Sequence, residues 1–286
     1  MNVSPKPFAH RGAHQFAPEN TIGAFQGAVD NGIMGIECDI HLTKDGVPVV
    51  VHDGNLTRLT CGHPTKFTNA RIRELTADEL RAVELPYANH CTPLELPGDA
   101  GHEFLALRPG TQLGQGPYDY IDALARDPRM ASIPTFTEFL DWLAGAPAGI
   151  EAEIELCDTG TAKPVYAAIA ASSVMEKCIV FSGNPLILME MGMNTAPEGL
   201  RLGANIRRLA DDSKAMLEDL PPLWEVGLNP GRFTKADVEW LNAKGIQVLA
   251  NLCDTFDWWE EMQGLGLYGF KTNYAPAYRK WAEGRV

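Results

Sequence analysis

Short apolar runs typical of buried strands alternate along this chain with stretches whose apolar residues repeat at helical spacing. Strands that alternate with helices indicate a parallel sheet. Eight parallel strands are predicted, the number in a (β/α)₈ or TIM barrel. The predicted strands are Phe8–His10, Gly35–Leu42, Ile150–Leu156, Cys178–Phe181, Leu200–Ala204, Glu225–Leu228, Ile246–Asn251 and Tyr268–Thr272. One predicted helix starts at Asn20 or Thr21 and runs to about Val29, and a second covers Thr135–Leu143. Among the helices between the later strands, Thr234–Lys244 is the clearest.

A hairpin is predicted directly after the second strand. The turn at Lys44–Gly46 leads within a few residues into the β-branched run Val47–Val51, whereas a parallel crossover needs about a dozen residues. The run must therefore return antiparallel. This pairing brings His52 back beside Glu37 and Asp39.

Carboxylates repeat with a spacing of two on two of the predicted strands. Glu37 and Asp39 therefore share one face, and their oxygens are ligands that Mg²⁺ or Ca²⁺ prefers. In Ile150–Leu156 the glutamates alternate strictly with apolar residues, and in a barrel their face points inward. Like charges on that face call for a cation or for protonation. Glu155 lies nearest the carboxyl-terminal end, where chemistry collects in this fold.

His10 ends the first apolar run, and Arg11 follows it directly. Together with His52 it gives two imidazoles near the predicted metal site. A pair of histidines beside a metal suits general acid and base catalysis on a phosphoester.

Five short motifs follow one another closely in the first part of the chain: His10-Arg11-Gly12, Pro18-Glu19-Asn20-Thr21, Glu37-x-Asp39, Thr43-Lys44-Asp45-Gly46 and His52-Asp53. In this order and spacing they resemble the glycerophosphodiester phosphodiesterase family, strongly over residues 8–60, loosely from about 134 to the end and not in between. The resemblance implies a TIM barrel that uses a divalent cation, Mg²⁺ or Ca²⁺, to hydrolyse a phosphodiester. The expected substrate is a glycerophosphodiester, which yields glycerol 3-phosphate and an alcohol.

The resemblance also implies roles for individual residues. Glu37, Asp39 and Glu155, which aligns with a family acidic residue, would hold the metal. His10 and His52 would share the acid and base roles, in an order that the sequence leaves open. Arg11 and Lys271 would contact the phosphate. A substrate hydroxyl could attack first to give a cyclic phosphate that water then opens.

Three positions depart from the family pattern. Cys157 replaces a lysine, Ala250-Asn251-Leu252 replaces a tryptophan-threonine motif, and Thr272-Asn273 replaces Thr-Asp. The missing ammonium removes a charge-assisted contact of roughly 1.5–3 kcal/mol. Two alternatives therefore stay open: a phospholipase D-like lyase that stops at the cyclic phosphate, and a barrel that binds a phosphate ligand without catalysis. A nucleophilic role for Cys157 is disfavoured, because no histidine is adjacent.

From Asp53 to about Arg129 the apolar periodicity fades, except for a short helix starting at Thr76 and another at Tyr118–Ala125. We expect a single domain over residues 1–286, with an insertion at about 54–130 over the active site that sets substrate choice. Its candidate phosphate contacts are Arg58, Lys66, Arg71, Arg73 and Arg108. We interpret Pro18–Thr21 mainly as the start of a helix.

The composition restricts partners and location. With 286 residues, of which 45% are apolar, the chain can bury a large core, and its net charge of −13 argues against nucleic-acid or anionic-membrane surfaces. The expected partner is a small phosphodiester. No window approaches the roughly 18 apolar residues of a membrane helix, and a cytoplasmic location is the default. The oligomeric state stays open.

The six cysteines lack zinc spacing, and only Cys61 and Cys91 are candidates for a disulfide.

Overall fold

The computed structural model describes residues 4–14, 17–60, 67, 69–83, 85 and 128–284. Several expectations lie outside these residues. They concern the helix at Tyr118–Ala125, the candidate pair Cys61 and Cys91, and the candidate cations Lys66 and Arg108.

Eight parallel strands close into a barrel in the order β1-β9-β8-β7-β6-β5-β4-β2, and β2 pairs back with β1. The strands are β1 Lys6–Ala9, β2 Gly35–Leu42, β3 Pro48–Val50, β4 Glu151–Leu156, β5 Cys178–Ser182, β6 Arg201–Ile206, β7 Glu225–Leu228, β8 Gln247–Ala250 and β9 Gly269–Thr272. β3 is the predicted hairpin return and pairs antiparallel with the end of β2. The prediction of a TIM barrel is confirmed.

Helices follow the strands around the outside of the barrel. They are α1 Ile22–Asp30, α2 Ala77–Arg81, α3 Phe136–Gly145, α4 Ala162–Ala171, α5 Pro185–Met193, α6 Asp211–Asp219, α7 Lys235–Ala243, α8 Phe256–Glu261 and α9 Ala275–Glu283. Short 3₁₀ turns lie at Ile72–Glu74, Pro128–Ala131 and Met175–Lys177. None of the helices within the described ranges is long and apolar enough to cross a membrane.

Local sequence signals set the helix starts. Thr21 accepts a hydrogen bond from the Ala24 N–H and caps α1. Thr76, Thr135 and Thr234 each begin a capping box. The threonine hydroxyl accepts a hydrogen bond from the N–H of the third helical residue, and the side chain of that residue accepts one from the threonine N–H. Such caps satisfy N–H groups that have no partner within the helix.

Most of the core lies between the strands and the surrounding helices. A second cluster packs the start of the insertion against the hairpin return, with Val49 and Val51 on one side and Leu56, Ile72 and Leu80 on the other. His52 follows Val51 directly. These described residues of the insertion therefore fix the position at which His52 leaves the barrel.

The inward face of β4 carries three carboxylates, as its alternation predicted. Glu151, at the amino-terminal end, forms ion pairs with Lys6 at 2.7 Å and with Arg201. Glu153, fully buried, lies 3.0 Å from the Lys271 ammonium on β9. Glu155 lies at the carboxyl-terminal end. The barrel interior is thus charged along much of its length.

Lys271 is the cation at the centre of this interior. Burial and the neighbouring Glu225 carboxyl raise the pKa of Glu153 well above its usual range, and burial also raises the pKa of Glu225. Burial opposes the charge of Lys271, yet the surrounding carboxylates, Glu153 foremost, raise its pKa. The Nζ atom also lies 3.7 Å from the centre of the Phe181 ring. Lys271 therefore stabilises acidic groups that no solvent reaches.

Replacing Lys271 by methionine should lower the free energy of unfolding by roughly 3–5 kcal/mol, because a buried acidic pair loses its cation. Urea denaturation measures the change. The double variant Lys271→Met/Glu153→Gln should lose clearly less than the sum of the two single losses. If the loss in the double variant equalled the sum of the two single losses, Lys271 and Glu153 would not stabilise each other.

Candidate active site

Three carboxylates converge at the carboxyl-terminal end of the barrel. Glu37, Asp39 and Glu155 each place an oxygen so that all three lie within 4.8 Å of one another. The strand register causes this, because Asp39 on β2 pairs with Glu155 on β4. Glu37 and Asp39 are both only 1% exposed.

The environment of this carboxylate trio favours a cation. Burial, with the Asp39 carboxylate adding to it, raises the pKa of Glu37 well above its usual range. Burial is also the main cause that raises the pKa of Glu155 to about 7, while Lys271 opposes the rise. Three close oxygen donors that repel one another suit a hard divalent ion. The residues present therefore fit the predicted metal.

Arg11 lies against the trio from the β1 side. Its backbone N–H donates to Glu37 Oε2 at 3.0 Å, and its Nε lies 3.4 Å from Asp39 Oδ2. The residue adopts a left-handed conformation with φ 58°. Gly12 follows at φ 80°, where an added Cβ would lie 2.8 Å from Ala24. This close approach to α1 explains why glycine follows the arginine.

Glu19 and Asn20 belong to the site, so the interpretation of Pro18–Thr21 as mainly a helix start is incomplete. Glu19 accepts a hydrogen bond from Arg11 Nη1 at 3.1 Å and two from Arg58, at 2.6 and 2.8 Å. These outweigh burial and hold the pKa of Glu19 well below its usual range. Asn20 donates to Asp39 Oδ2 at 2.8 Å and orients that carboxylate.

His52 is held by the residue that follows it. Its Nδ1 lies 2.7 Å from Asp53 Oδ1, and Arg58 binds the same carboxylate, with Nε 2.8 Å from Oδ2. Hydrogen bonds from His52 and Arg58 outweigh burial and lower the pKa of Asp53 to about 2. His41 Nε2 contacts the His52 carbonyl at 2.8 Å. The ring of His52 thus directs Nε2 away from Asp53, and its side chain is 41% exposed.

His10 has a different support. Asn273 Nδ2 donates to Asp254 Oδ2 at 2.6 Å, because a carboxylate only accepts. The Oδ1 of Asn273 therefore faces His10 Nδ1, at 2.7 Å, and His14 Nε2, at 3.1 Å. His10 must donate from Nδ1, which leaves a lone pair on Nε2, 4.0 Å from Glu37 Oε2. Burial and then the charge of Arg11 lower the pKa of His10 well below its usual range.

The model of the glycerophosphoryl diester phosphodiesterase family matches residues 10–177 of this sequence. The chain belongs to this family. Glycerophosphodiester phosphodiesterase 1 of Rattus norvegicus is 42% identical over 91 residues, which cover 32% of this chain and 25% of that protein. A glycerophosphodiester phosphodiesterase of Caldanaerobacter subterraneus is 41% identical over 76 residues, which cover 27% of this chain and 29% of that protein. The matched segments thus span only about a quarter of these relatives.

Solved structures share the whole fold at low identity. A phosphodiesterase of Oleispira antarctica, in complex with the product sn-glycerol-3-phosphate, aligns with a TM-score of 0.70 at 20% identity, covering 98% of this chain and 97% of that one. A glycerophosphodiester phosphodiesterase of Parabacteroides distasonis aligns with a TM-score of 0.68 at 17% identity, covering 100% of this chain and 99% of that one.

Two of the departures from the glycerophosphodiester phosphodiesterase pattern have a structural counterpart. Asn273 stands where the resemblance leads us to expect aspartate, and Asp254 supplies a carboxylate behind it. Cys157, in place of the lysine, has its Sγ 3.9 Å from Asp39 Oδ1. Burial, followed by the Asp39 charge, raises the pKa of this thiol well above its usual range. Cys157 is therefore a neutral thiol and not an activated nucleophile.

Several residues at the site give little signal in the sequence. The motif that contains Glu19 and Asn20 predicts a helix start and not a role at the site, and Asp254 gives no signal at all. Arg58 is a predicted phosphate contact, and the structure places its guanidinium between Glu19 and Asp53. Among the other candidates, Arg73 Nε lies 3.1 Å from Asp158 Oδ2.

Metal binding should weaken as the pH falls below 7, because the proton on Glu155 must leave before the carboxylate can bind a cation. The expected change is about tenfold in affinity per pH unit for one competing proton. Isothermal titration calorimetry with Mg²⁺ or Ca²⁺ between pH 5.5 and 8 measures it.

Glu155→Gln should weaken the binding and make it less dependent on pH, because one competing proton is removed while the one on Glu37 remains. Glu239→Gln, at an exposed position on α7, is the matched control and should behave like the wild type. Affinity that stays constant across this pH range would contradict the arrangement.

Proposed function

We propose that this protein hydrolyses a glycerophosphodiester to glycerol 3-phosphate and an alcohol. The observation that carries the proposal is the buried carboxylate trio flanked by His10 and His52. Membership of the family supports it. So does the similar fold of the Oleispira antarctica phosphodiesterase, whose structure contains sn-glycerol-3-phosphate.

Glu37, Asp39 and Glu155 would hold the cation, for which we propose Mg²⁺ or Ca²⁺, since both prefer carboxylate oxygens. A divalent ion there would draw electron density from the phosphoryl oxygens as a Lewis acid. Asn20 and the Arg11 N–H keep two of the ligands oriented. Support of this kind fixes ligand geometry.

His10 is proposed as the general base of the first step. Asn273 holds its Nδ1 proton, and the low pKa of the buried ring keeps Nε2 free to accept a proton at neutral pH. A glycerol hydroxyl next to the phosphodiester loses its proton to Nε2 as its oxygen bonds to phosphorus. His52, oriented by Asp53, would protonate the oxygen of the departing alcohol as its bond to phosphorus breaks.

The second step reverses these roles. Neutral His52 takes a proton from water, which attacks the cyclic phosphate, and His10 returns its proton to the glycerol oxygen. Arg11 and Lys271 are proposed to favour binding of the anionic phosphate. The side chain of Arg11 is 15% exposed and that of Lys271 only 4%, so we propose direct contact for Arg11 and an effect through space for Lys271.

The activity is tested with purified protein, Mg²⁺ or Ca²⁺, and a panel of glycerophosphodiesters followed by ³¹P NMR. The expected product is glycerol 3-phosphate, and chelator with prolonged dialysis should abolish its formation. A cyclic phosphate that accumulates without opening would favour the lyase. No turnover by protein that binds the metal would favour a non-catalytic barrel.

The histidine roles are separated by leaving group. His10→Ala and His52→Ala should each lower kcat by roughly 10²–10⁴ on an ordinary glycerophosphodiester. The second substrate is a glycerol p-nitrophenyl phosphodiester, whose leaving group needs no proton. In stopped-flow assays of p-nitrophenol release, His10→Ala should keep its full loss of rate, whereas His52→Ala should lose much less. Metal affinity and thermal stability serve as controls. Equal losses on both substrates for both variants would refute this assignment of acid and base.

A further inference from the structure

Helix α5 carries an exposed apolar surface. Its sequence, Pro185 to Met193, is almost entirely apolar, and a helix that is apolar on every side is normally buried. Here Leu186, Met189 and Met193 are 65%, 60% and 79% exposed. Exposed apolar patches of this kind mark binding surfaces.

The patch borders a groove of about 650 Å³ between α5 and the end of α6. Met189 and Met193 line one wall, and Met216 and Leu220 line the other. Gly192 lets the walls approach, because a Cβ there would lie 3.3 Å from Pro221 Cδ. Methionine side chains are flexible and polarizable, which suits a ligand of variable shape.

The groove continues toward the carboxylate trio. A neighbouring hollow of about 320 Å³ shares Leu188 and Met216 with the groove and extends to Gly183 and Asn205. A Cβ on Gly183 would lie only 3.9 Å from Glu155 Oε1. The groove and hollow together therefore lead from a metal ligand to the outer surface.

Polarity changes along this path. The hollow near Glu155 carries polar groups, among them Asn205, Arg207 and Ser213. The groove beyond it has apolar walls, with Asp219 as the charged residue of its lining. A ligand that follows the path would be polar near the metal site and apolar farther out.

We propose that the groove binds a long alkyl chain on the alcohol that leaves the phosphodiester. The inference rests on the proposed function. The glycerol half has hydroxyl groups that need polar partners, and Arg11 and His10 offer such groups on the β1 side of the trio. The apolar path on the β5 and β6 side therefore suits the other half of the substrate. The continuity of the path with Glu155 favours a substrate chain over a second protein as its occupant.

The test is a series of glycerophospho-n-alkanols, from ethyl to dodecyl, kept below their aggregation concentrations. For the wild type, kcat/KM should rise with chain length, by at most about fourfold per methylene, the value for full burial. Met189→Glu and Met193→Glu should flatten the series and leave kcat/KM for the ethyl diester unchanged. Ala236→Glu adds the same charge at an exposed position on α7 and should keep the full rise.

Five results would overturn the proposal. A flat series in a wild type that turns over the ethyl diester rejects the groove while the proposed function stands, whereas no turnover of any member rejects both. A rise that survives both methionine variants rejects the location. A rise that appears with 1-acyl-lysophospholipids but not with the alkanols rejects the assignment to the leaving alcohol. Methionine variants that split a dimer, on size-exclusion chromatography, without changing the series indicate an interface between copies.

Discussion

Repulsion among the carboxylates of Glu37, Asp39 and Glu155 is the constraint on which the rest of the site depends. Negative charge on three oxygens that lie within 4.8 Å of one another is stabilised only by positive charge close to them. Arg11 supplies part of it from β1, and Lys271 supplies part from within the barrel. The negative charge that these two cations leave uncompensated favours a divalent ion. The fold therefore provides a driving force for metal binding.

The same charges connect His52 to the carboxylate trio. A continuous chain of contacts runs from His52 through Asp53, Arg58 and Glu19 to Arg11, and Arg11 lies against Asp39. Each anion in this chain contacts a cation or an imidazole. Because several charges share partners, removing one would disturb the others, and energies along this network should not add.

The two histidines differ in a way that fits two roles. The His10 side chain is only 12% exposed and faces a neutral amide, whereas the His52 side chain is 41% exposed and faces a carboxylate. The neutral amide of Asn273 favours this difference, because a carboxylate in direct contact would favour a charged His10. Asp254 acts one residue farther away, by holding the amide in place.

The sequence alone determined what depends on neighbours along the chain. Glu37 and Asp39, and likewise Glu153 and Glu155, are two residues apart on a strand, and this spacing predicted that each pair shares a face. The capping threonines predicted helix starts. Side-chain alternation along a strand and helix capping both depend on residues at most a few positions apart, so they can be recognised in the sequence. Eight strands, the hairpin and the carboxylate trio followed from these signals and from the resemblance.

Only the tertiary structure decided which distant side chains meet. Arg58 and Glu19 are 39 residues apart, and Asn273 and Asp254 are 19 apart on different elements. The groove likewise exists because α5 and α6 pack with Gly192 against Pro221. Barrel closure fixes these contacts through the strand register, and the register depends on packing of the whole barrel and not on any local stretch.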